Sequence, residues 1–437
     1  MKIPKRIAQT LMNALKGGVV PRVGLPYITV GRKAEIDALL HDVDIIADGG
    51  ASFRFIVGKY GSGKSFLLHT IRNYVMAKNF VVVDADLSPE RRLQGTRGQG
   101  LATYKELIRN MSTKTRPEGG ALSLILDRWI SSVQQEEMAA SGLSVTSPQL
   151  SGQVEKRIAS EICSLNEMVH GFDFARLLTI YYRSYVSGGD EAKGKVLKWF
   201  RGEYATKTEA RQELGVNIVI TDDDWYEYLK LFACFLKQAN YSGMIILIDE
   251  LVNIYKIPNA ITRQYNYEKI LTMYNDTMQG KAQHLGIILC GTPACMEDPR
   301  RGVYSYEALR SRLAEGRFSG EHKDLLSPVI RLQPLTPEEM LILVEKLSDI
   351  HSELYGYPRI VTQRDMADFI EIEFGRIGAD SHITPREVIR DFIEVLDIVY
   401  QNPEVKVREL LGSEEFTYAR NAVQEETAGE QFAEFEL

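Results

Sequence analysis

The chain has 437 residues, 44% hydrophobic and 25% charged, with a net charge of −7. That is the composition of an ordinary soluble globular protein, long enough for two or three domains. The negative balance excludes a protein that coats nucleic acid through bulk charge, so any basic face has to be local. Four cysteines, Cys163, Cys234, Cys290 and Cys295, fit neither zinc-site nor disulfide spacing and read as buried thiols in a reducing cytosol. No apolar run approaches 18 residues, and no apolar core follows Lys2, Lys5 and Arg6, so neither a membrane span nor secretion is expected. The expected location is cytoplasmic.

Residues 1–25 predict a short basic helix, Pro4 to Lys16, and a Gly/Pro-rich loop. Val30-Gly31-Arg32 then opens an amphipathic helix through Leu39-Leu40 and Ile45-Ile46. The apolar run 53–57 reads as a strand. It hands over directly to Gly58-Lys59-Tyr60-Gly61-Ser62-Gly63-Lys64-Ser65, a complete phosphate-binding loop. Glycines let successive N–H groups converge on a phosphate, Lys64 reaches the β- and γ-phosphates, and the Ser65 hydroxyl is a Mg²⁺ ligand. A helix from Phe66 to Lys78 adds its positive end, and a strand at Phe80–Asp84 completes one βαβ step of a parallel sheet.

From 93 to 219 the pattern turns helical, with segments at 103–112, 121–137, 154–170, 172–187 and 191–202, broken by a Ser/Gly-rich loop at 140–152. This reads as a helical insertion. Asp222–Asp224 are expected to cap a helix from Trp225 to Asn240. Buried strand patterns follow at Met244–Glu250 and Leu285–Thr292, and a short one at Val329–Leu332. Thr336 and Pro337 start a helical region that runs to Tyr400, and the end, 413–437, has seven Glu against one Arg and reads as a flexible acidic tail.

The first of those buried strands ends in Asp249-Glu250, at the carboxyl edge where parallel sheets present ligand sites. Asp249 is expected to hold Mg²⁺ and Glu250 to polarise the water that attacks the γ-phosphate. Thr292 is either a polar sensor of the γ-phosphate or a plain helix cap. Arg310 and Arg312, on a helix at 306–314, are both candidates to reach a neighbouring subunit's γ-phosphate, and Arg386 to close over the phosphates from a lid. Gly31 and Arg32, 27 residues before Gly58, stand where ring-forming ATPases hold adenine.

In this order the elements resemble the AAA+ superfamily and, through Val-Gly-Arg-x-x-Glu, its origin-recognition and initiator branch, over roughly 25–400. The segments Asp86-Leu87-Ser88-Pro89-Glu90, Trp199-Phe200-Arg201-Gly202-Glu203, Ile248–Lys256, Asn266-Tyr267-Glu268, Asn275-Asp276, Gly291-Thr292-Pro293 and Asp298–Leu313 are similar to the BrxD family of ATP-binding proteins of BREX bacteriophage-exclusion loci. The resemblance implies an α/β P-loop AAA+ core with a parallel sheet flanked by helices (26–92 and 220–334), a large helical insertion (93–219), a C-terminal helical lid (335–411) and an acidic tail (412–437). It implies ATP and Mg²⁺ as cofactors, ATP hydrolysis, a homo-oligomer, and a helicase or other defence protein as partner. The initiator branch adds a DNA-gripping winged helix, whereas here 37 mostly acidic residues follow Tyr400. Two other functions stay open. One is a nucleotide-gated recruitment switch with slow hydrolysis. The other is an initiator-like DNA loader, using Lys193, Lys195, Lys198 and Arg201 or Lys2, Lys5, Arg6 and Lys16.

Overall fold

Alternating buried strands and amphipathic helices build an α/β protein, seen in a computed structural model that describes residues 3–145, 147–162, 165, 167–314, 324–375 and 384–413. Five strands, β1 (Ala51–Val57), β2 (Val81–Asp86), β3 (Met244–Asp249), β4 (Leu285–Gly291) and β5 (Val329–Arg331), form one sheet in the order β2-β3-β4-β1-β5. Every pairing is parallel. Each residue of β3 and β4 is buried, as a parallel sheet covered on both faces requires. The phosphate-loop sequence follows β1 and leads into the helix Lys64–Ala77.

Two compact units divide the chain. The larger comprises Ala34–Lys59 and Thr70–Arg331. It holds the whole sheet and the helices Gln99–Arg109, Leu122–Ser141, Pro148–Glu161, Gly171–Ser187, Asp190–Phe200, Lys207–Leu214, Trp225–Gln238 and Ala260–Met278. One hydrophobic core runs from Phe53, Val81 and Ile246 of the sheet to Trp129, Phe174, Trp199 and Phe235 of these helices. The described parts of Met1–Lys33, Tyr60–His69 and Leu332–Leu437 make the second unit. There Leu11 and Met12 of the N-terminal helix Lys5–Lys16 share a core with Val344, Leu347, Phe392 and Leu396 of the helices Pro337–Tyr355 and Pro385–Gln401.

Several local expectations are corrected. The helix expected at 154–170 is Pro148–Glu161, because Ser147-Pro148 starts it inside the stretch read as a loop. Lys207–Leu214 and Ala260–Met278 are helices that the apolar pattern did not announce. Thr206 and Asn259 cap them, each accepting the backbone N–H three residues on. Asp222 does not cap the Trp225 helix. Its carboxylate accepts the N–H groups of Gly98 (2.8 Å) and Leu101 (2.6 Å), capping a helix 124 residues away in sequence, while Asp224 accepts from Thr221. Thr336 and Thr384 do cap their helices, in reciprocal capping boxes with Glu339 and Glu387. Cys290 and Cys295 are buried thiols and Cys234 a half-buried one. Cys163 and nearly all of the acidic tail lie outside the described residues.

A buried ion pair ties β1 to its surroundings. Arg54 donates through Nη2 to Asp42 Oδ1 at 2.8 Å and through Nη1 to the carbonyls of Leu325 and Ser327, while Ser52 donates to the other Asp42 oxygen. Both side chains are more than nine-tenths buried. Arg54→Met alone strands a buried carboxylate and should cost about 3–5 kcal/mol in denaturant unfolding, whereas adding Asp42→Leu should recover most of the loss. A double variant no more stable than the single one would contradict this account.

Candidate nucleotide site

Register places four strand ends on one line in the larger unit. Val57 pairs with Gly291, Ile248 with Leu289 and Asp86 with Asp249, so β1, β4, β3 and β2 finish together. The sheet order sends the chain from β1 to β2 on one side and from β4 to β5 on the other. Adjacent strands whose connections diverge open a crevice at their carboxyl ends, the usual ligand position in such sheets. Gly58 and Gly291-Thr292 flank that crevice, and the Gly58 N–H donates to the Gly291 carbonyl at 3.2 Å. Asp249-Glu250 stand one strand beyond β4, about 10 Å from β1 at ordinary strand spacing.

The acidic end of β3 is rigidly held. Glu250 has φ +59°, a left-handed conformation uncommon outside glycine, and donates its N–H to Asp249 Oδ1 at 2.7 Å. Asn253 Nδ2 donates to the Leu87 carbonyl (2.8 Å) and the Glu250 carbonyl (3.3 Å), locking the turn. Backbone strain of about 1–3 kcal/mol maintained by such ties is a feature of preorganised sites. Thr292 accepts the Cys295 N–H at 3.3 Å and starts the helix Pro293–Glu297, so its oxygen caps while its proton stays available to donate. Asp86, beside Asp249 on β2, is a residue the sequence reading passed over as a site member. Its carboxyl is pushed up to about 6 by desolvation, then by Asp249, Asp84 and Glu250, although part of its surface meets water. The signal was present in Val83-Asp84-Ala85-Asp86, which puts two aspartates on one strand face.

The smaller unit holds Tyr60 to Ser65. Gly61 (φ +77°) and Gly63 (φ +94°) curl the loop, and the Leu67 N–H returns to the Gly63 carbonyl at 2.9 Å. A Cβ on Gly61 would lie 2.7 Å from that of Thr384, so only glycine fits between the loop tip and the start of the Pro385–Gln401 helix. Ser62 is buried and its Oγ has no protein partner among the described residues, a polar atom left for a ligand in a loop of N–H donors. Lys64 and Ser65 form the first turn of their helix. The loop therefore fits a phosphate chain. Among the described residues no three His, Cys, Asp or Glu side chains are arranged to hold a metal. The fit to Mg²⁺ rests on donor chemistry: Ser65 in the first turn of its helix offers a hydroxyl oxygen, and a phosphate-bound Mg²⁺ takes one or two protein oxygens.

Gly31 and Arg32 brace this loop. Gly31 (φ +67°) leaves no room for a Cβ against Glu339, and the buried Arg32 donates to the Ser62 carbonyl at 3.1 Å. Arg386 lies over the exposed Tyr60 ring, 4.9 Å from its centroid. On the helix Glu307–Leu313 of the larger unit both arginines are exposed, but Arg312 Nη1 turns back to the Ala308 carbonyl at 2.7 Å. The insertion lysines expected to meet DNA are ion-paired: Lys193 with Asp127 (3.1 Å), Lys195 with Glu191 (2.7 Å) and Lys198 with Glu209 (2.6 Å). Lys16 pairs with Asp397.

Asp86 yields a pH prediction. An acid whose folded-state pKa is raised stabilises the fold below its unfolded value, near 4, and loses that contribution as pH rises through about 6. Denaturant unfolding across this range should show wild type losing stability relative to Asp86→Asn. Parallel pH curves for the two proteins would refute the assignment.

No helix among the described residues is long and apolar enough to cross a membrane. No curated protein sequence is significantly similar to the chain. The family model for the BREX system ATP-binding protein BrxC/D matches residues 3–415. With a phosphate-loop sequence directly after the first strand of a parallel sheet and a match over nearly its whole length, the chain belongs to the BrxC/BrxD family of ATP-binding proteins of the BREX phage-defence system.

Proposed function

We propose that the chain is an AAA+ ATPase that hydrolyses ATP and couples the cycle to a helicase or other DNA-directed partner of its defence system. The observation that supports this most is the strand order. One strand, β4, lies between the strand that feeds the phosphate loop and the strand that carries Asp249-Glu250. That spacing, about 10 Å from the end of β1 to the end of β3, is wide enough for a phosphoryl group and a water, and Thr292 follows the strand between them. In this reading 26–92 and 220–334 form the nucleotide core, 93–219 the insertion that meets the partner, and 335–411 the lid.

Lys64 holds the β- and γ-phosphates and the loop N–H groups cradle them. Ser65 and Asp249 are the residues that would hold Mg²⁺, which neutralises charge on the phosphate oxygens. Glu250 orients the attacking water and accepts its proton. Arg386 approaches the phosphates from the lid, positioned by Tyr60. Arg310 acts across a subunit boundary in a homo-oligomer, in preference to Arg312, whose guanidinium is engaged by its own helix. The ion pairs on Lys193, Lys195 and Lys198 weigh against DNA loading through that helix.

ATP binding and turnover should separate in two variants. Lys64→Ala should lose both. Glu250→Gln should still bind ATP but turn over about 10²-fold more slowly or less. Equal residual rates in wild type and both variants would overturn the hydrolytic reading. Turnover per subunit should also fall on dilution, and Arg310→Ala should reproduce that loss while Arg312→Ala does not. A rate that stays flat on dilution to monomer would remove the trans arginine.

A further inference from the structure

The turn 112–119, exposed from Lys114 to Glu118, is fixed more firmly than solvent exposure alone demands. Ser112 joins the edge strand β2 by a reciprocal antiparallel bridge to Val82, with N–H to carbonyl distances of 2.8 and 3.0 Å. Thr113 and Arg116 close the turn through both backbone bonds, 3.0 and 3.1 Å, and the Arg116 N–H also reaches the Thr113 hydroxyl at 3.2 Å. From beneath, the buried Arg72 donates to Ser112 Oγ at 2.7 Å and to the Pro117 carbonyl, while its Nε faces Asp84 at 3.3 Å. A buried guanidinium that holds an otherwise solvated turn preorganises it.

What the turn presents is cationic. Lys114 and Arg116 are exposed at its tip. Arg128 reaches it from the Leu122–Ser141 helix, donating to Thr115 Oγ1 at 3.1 Å. Arg109 abuts it from the other side, where its carbonyl accepts the Gly120 N–H at 2.9 Å. Against these four cations stand Glu118 in the turn and Glu106, 4.0 Å from Arg109. The guanidinium groups of Arg116 and Arg128 each use one described hydrogen bond and have further N–H donors to offer. No large hydrophobic side chain is exposed between 99 and 128, so the aromatic or aliphatic anchors of a protein interface are missing. A fixed turn that bears guanidinium, ammonium and hydroxyl groups without apolar anchors is the chemistry that grips nucleic-acid phosphates.

We propose that this turn, with Lys114, Thr115, Arg116, Arg109 and Arg128, is a docking site for the phosphate backbone of a nucleic acid. It replaces the lysines of the Asp190–Phe200 helix as the basic face of an acidic protein, and it does not depend on hydrolysis at the nucleotide site. The test is fluorescence anisotropy of the full chain with a labelled duplex and a labelled single strand over a salt series. The Lys114→Ala/Arg116→Ala/Arg128→Ala variant should bind at least about tenfold more weakly, and the slope of log affinity against log salt should flatten by about 3. Lys195→Ala/Lys198→Ala should bind like wild type. ATP binding by the triple variant should be unchanged, which separates a lost docking site from a lost fold, and Lys114→Glu alone serves if the triple variant does not fold. Wild type that binds neither oligonucleotide at low salt, an unchanged slope in the triple variant, or displacement by polyglutamate as readily as by unlabelled oligonucleotide would each overturn the proposal.

Discussion

All five strands of the sheet run the same way, and that single constraint places the strand-end candidates of the larger unit on one edge. A parallel strand cannot return by a hairpin. Each crossover carries a helix over a face, buries both sides of β3 and β4, and delivers the next strand with its carboxyl end at the same edge. Gly58, Thr292, Asp249 and Asp86 therefore come into line although they span more than 230 residues of sequence.

Holding that edge takes polar clamps, because the loops beyond the strands have no ladder of their own. Asn266 is fully buried and uses its amide completely, accepting from the Leu93 and Gln94 N–H groups and donating to the Gln94 and Thr262 carbonyls. Asp222 and Asn253 do comparable work at Gly98 and Leu87. Several segments that carry the family resemblance are such clamps rather than chemistry. Tyr267, for example, donates its hydroxyl to the Arg301 carbonyl, and Tyr255 to Asp298 at 3.0 Å. A buried amide with every group satisfied loses much if one partner goes, which is reason enough for it to stay.

Charge is likewise arranged locally rather than in bulk. The carboxylates at the ends of β2 and β3 crowd one another enough to lift Asp86, whereas the lysines of the Asp190–Phe200 helix are cancelled by their neighbours. A run of basic residues in sequence was a poor guide to a basic surface, because helical i,i+4 geometry and the adjacent Lys207–Leu214 helix bring glutamates alongside it. The turn at 112–119 looks less basic in sequence, yet Glu118 and Glu106 cancel only part of its charge because its other neighbours are arginines from two helices.

The sequence by itself determined what depends on short-range stereochemistry: the phosphate loop, the buried strands, and the helix start at Thr336-Pro337. In each the signal lies within a few residues. It missed the helices Lys207–Leu214 and Ala260–Met278, whose apolar stripes are weak and whose starts rest on Thr206 and Asn259 caps. Only the tertiary structure decided that β4 lies between β1 and β3, that Asp86 joins Asp249, and that Arg32 braces Ser62. It also decided that Asp222 caps a helix 124 residues distant. Strand order and remote hydrogen bonds are set by how whole elements pack, and no local window contains both partners.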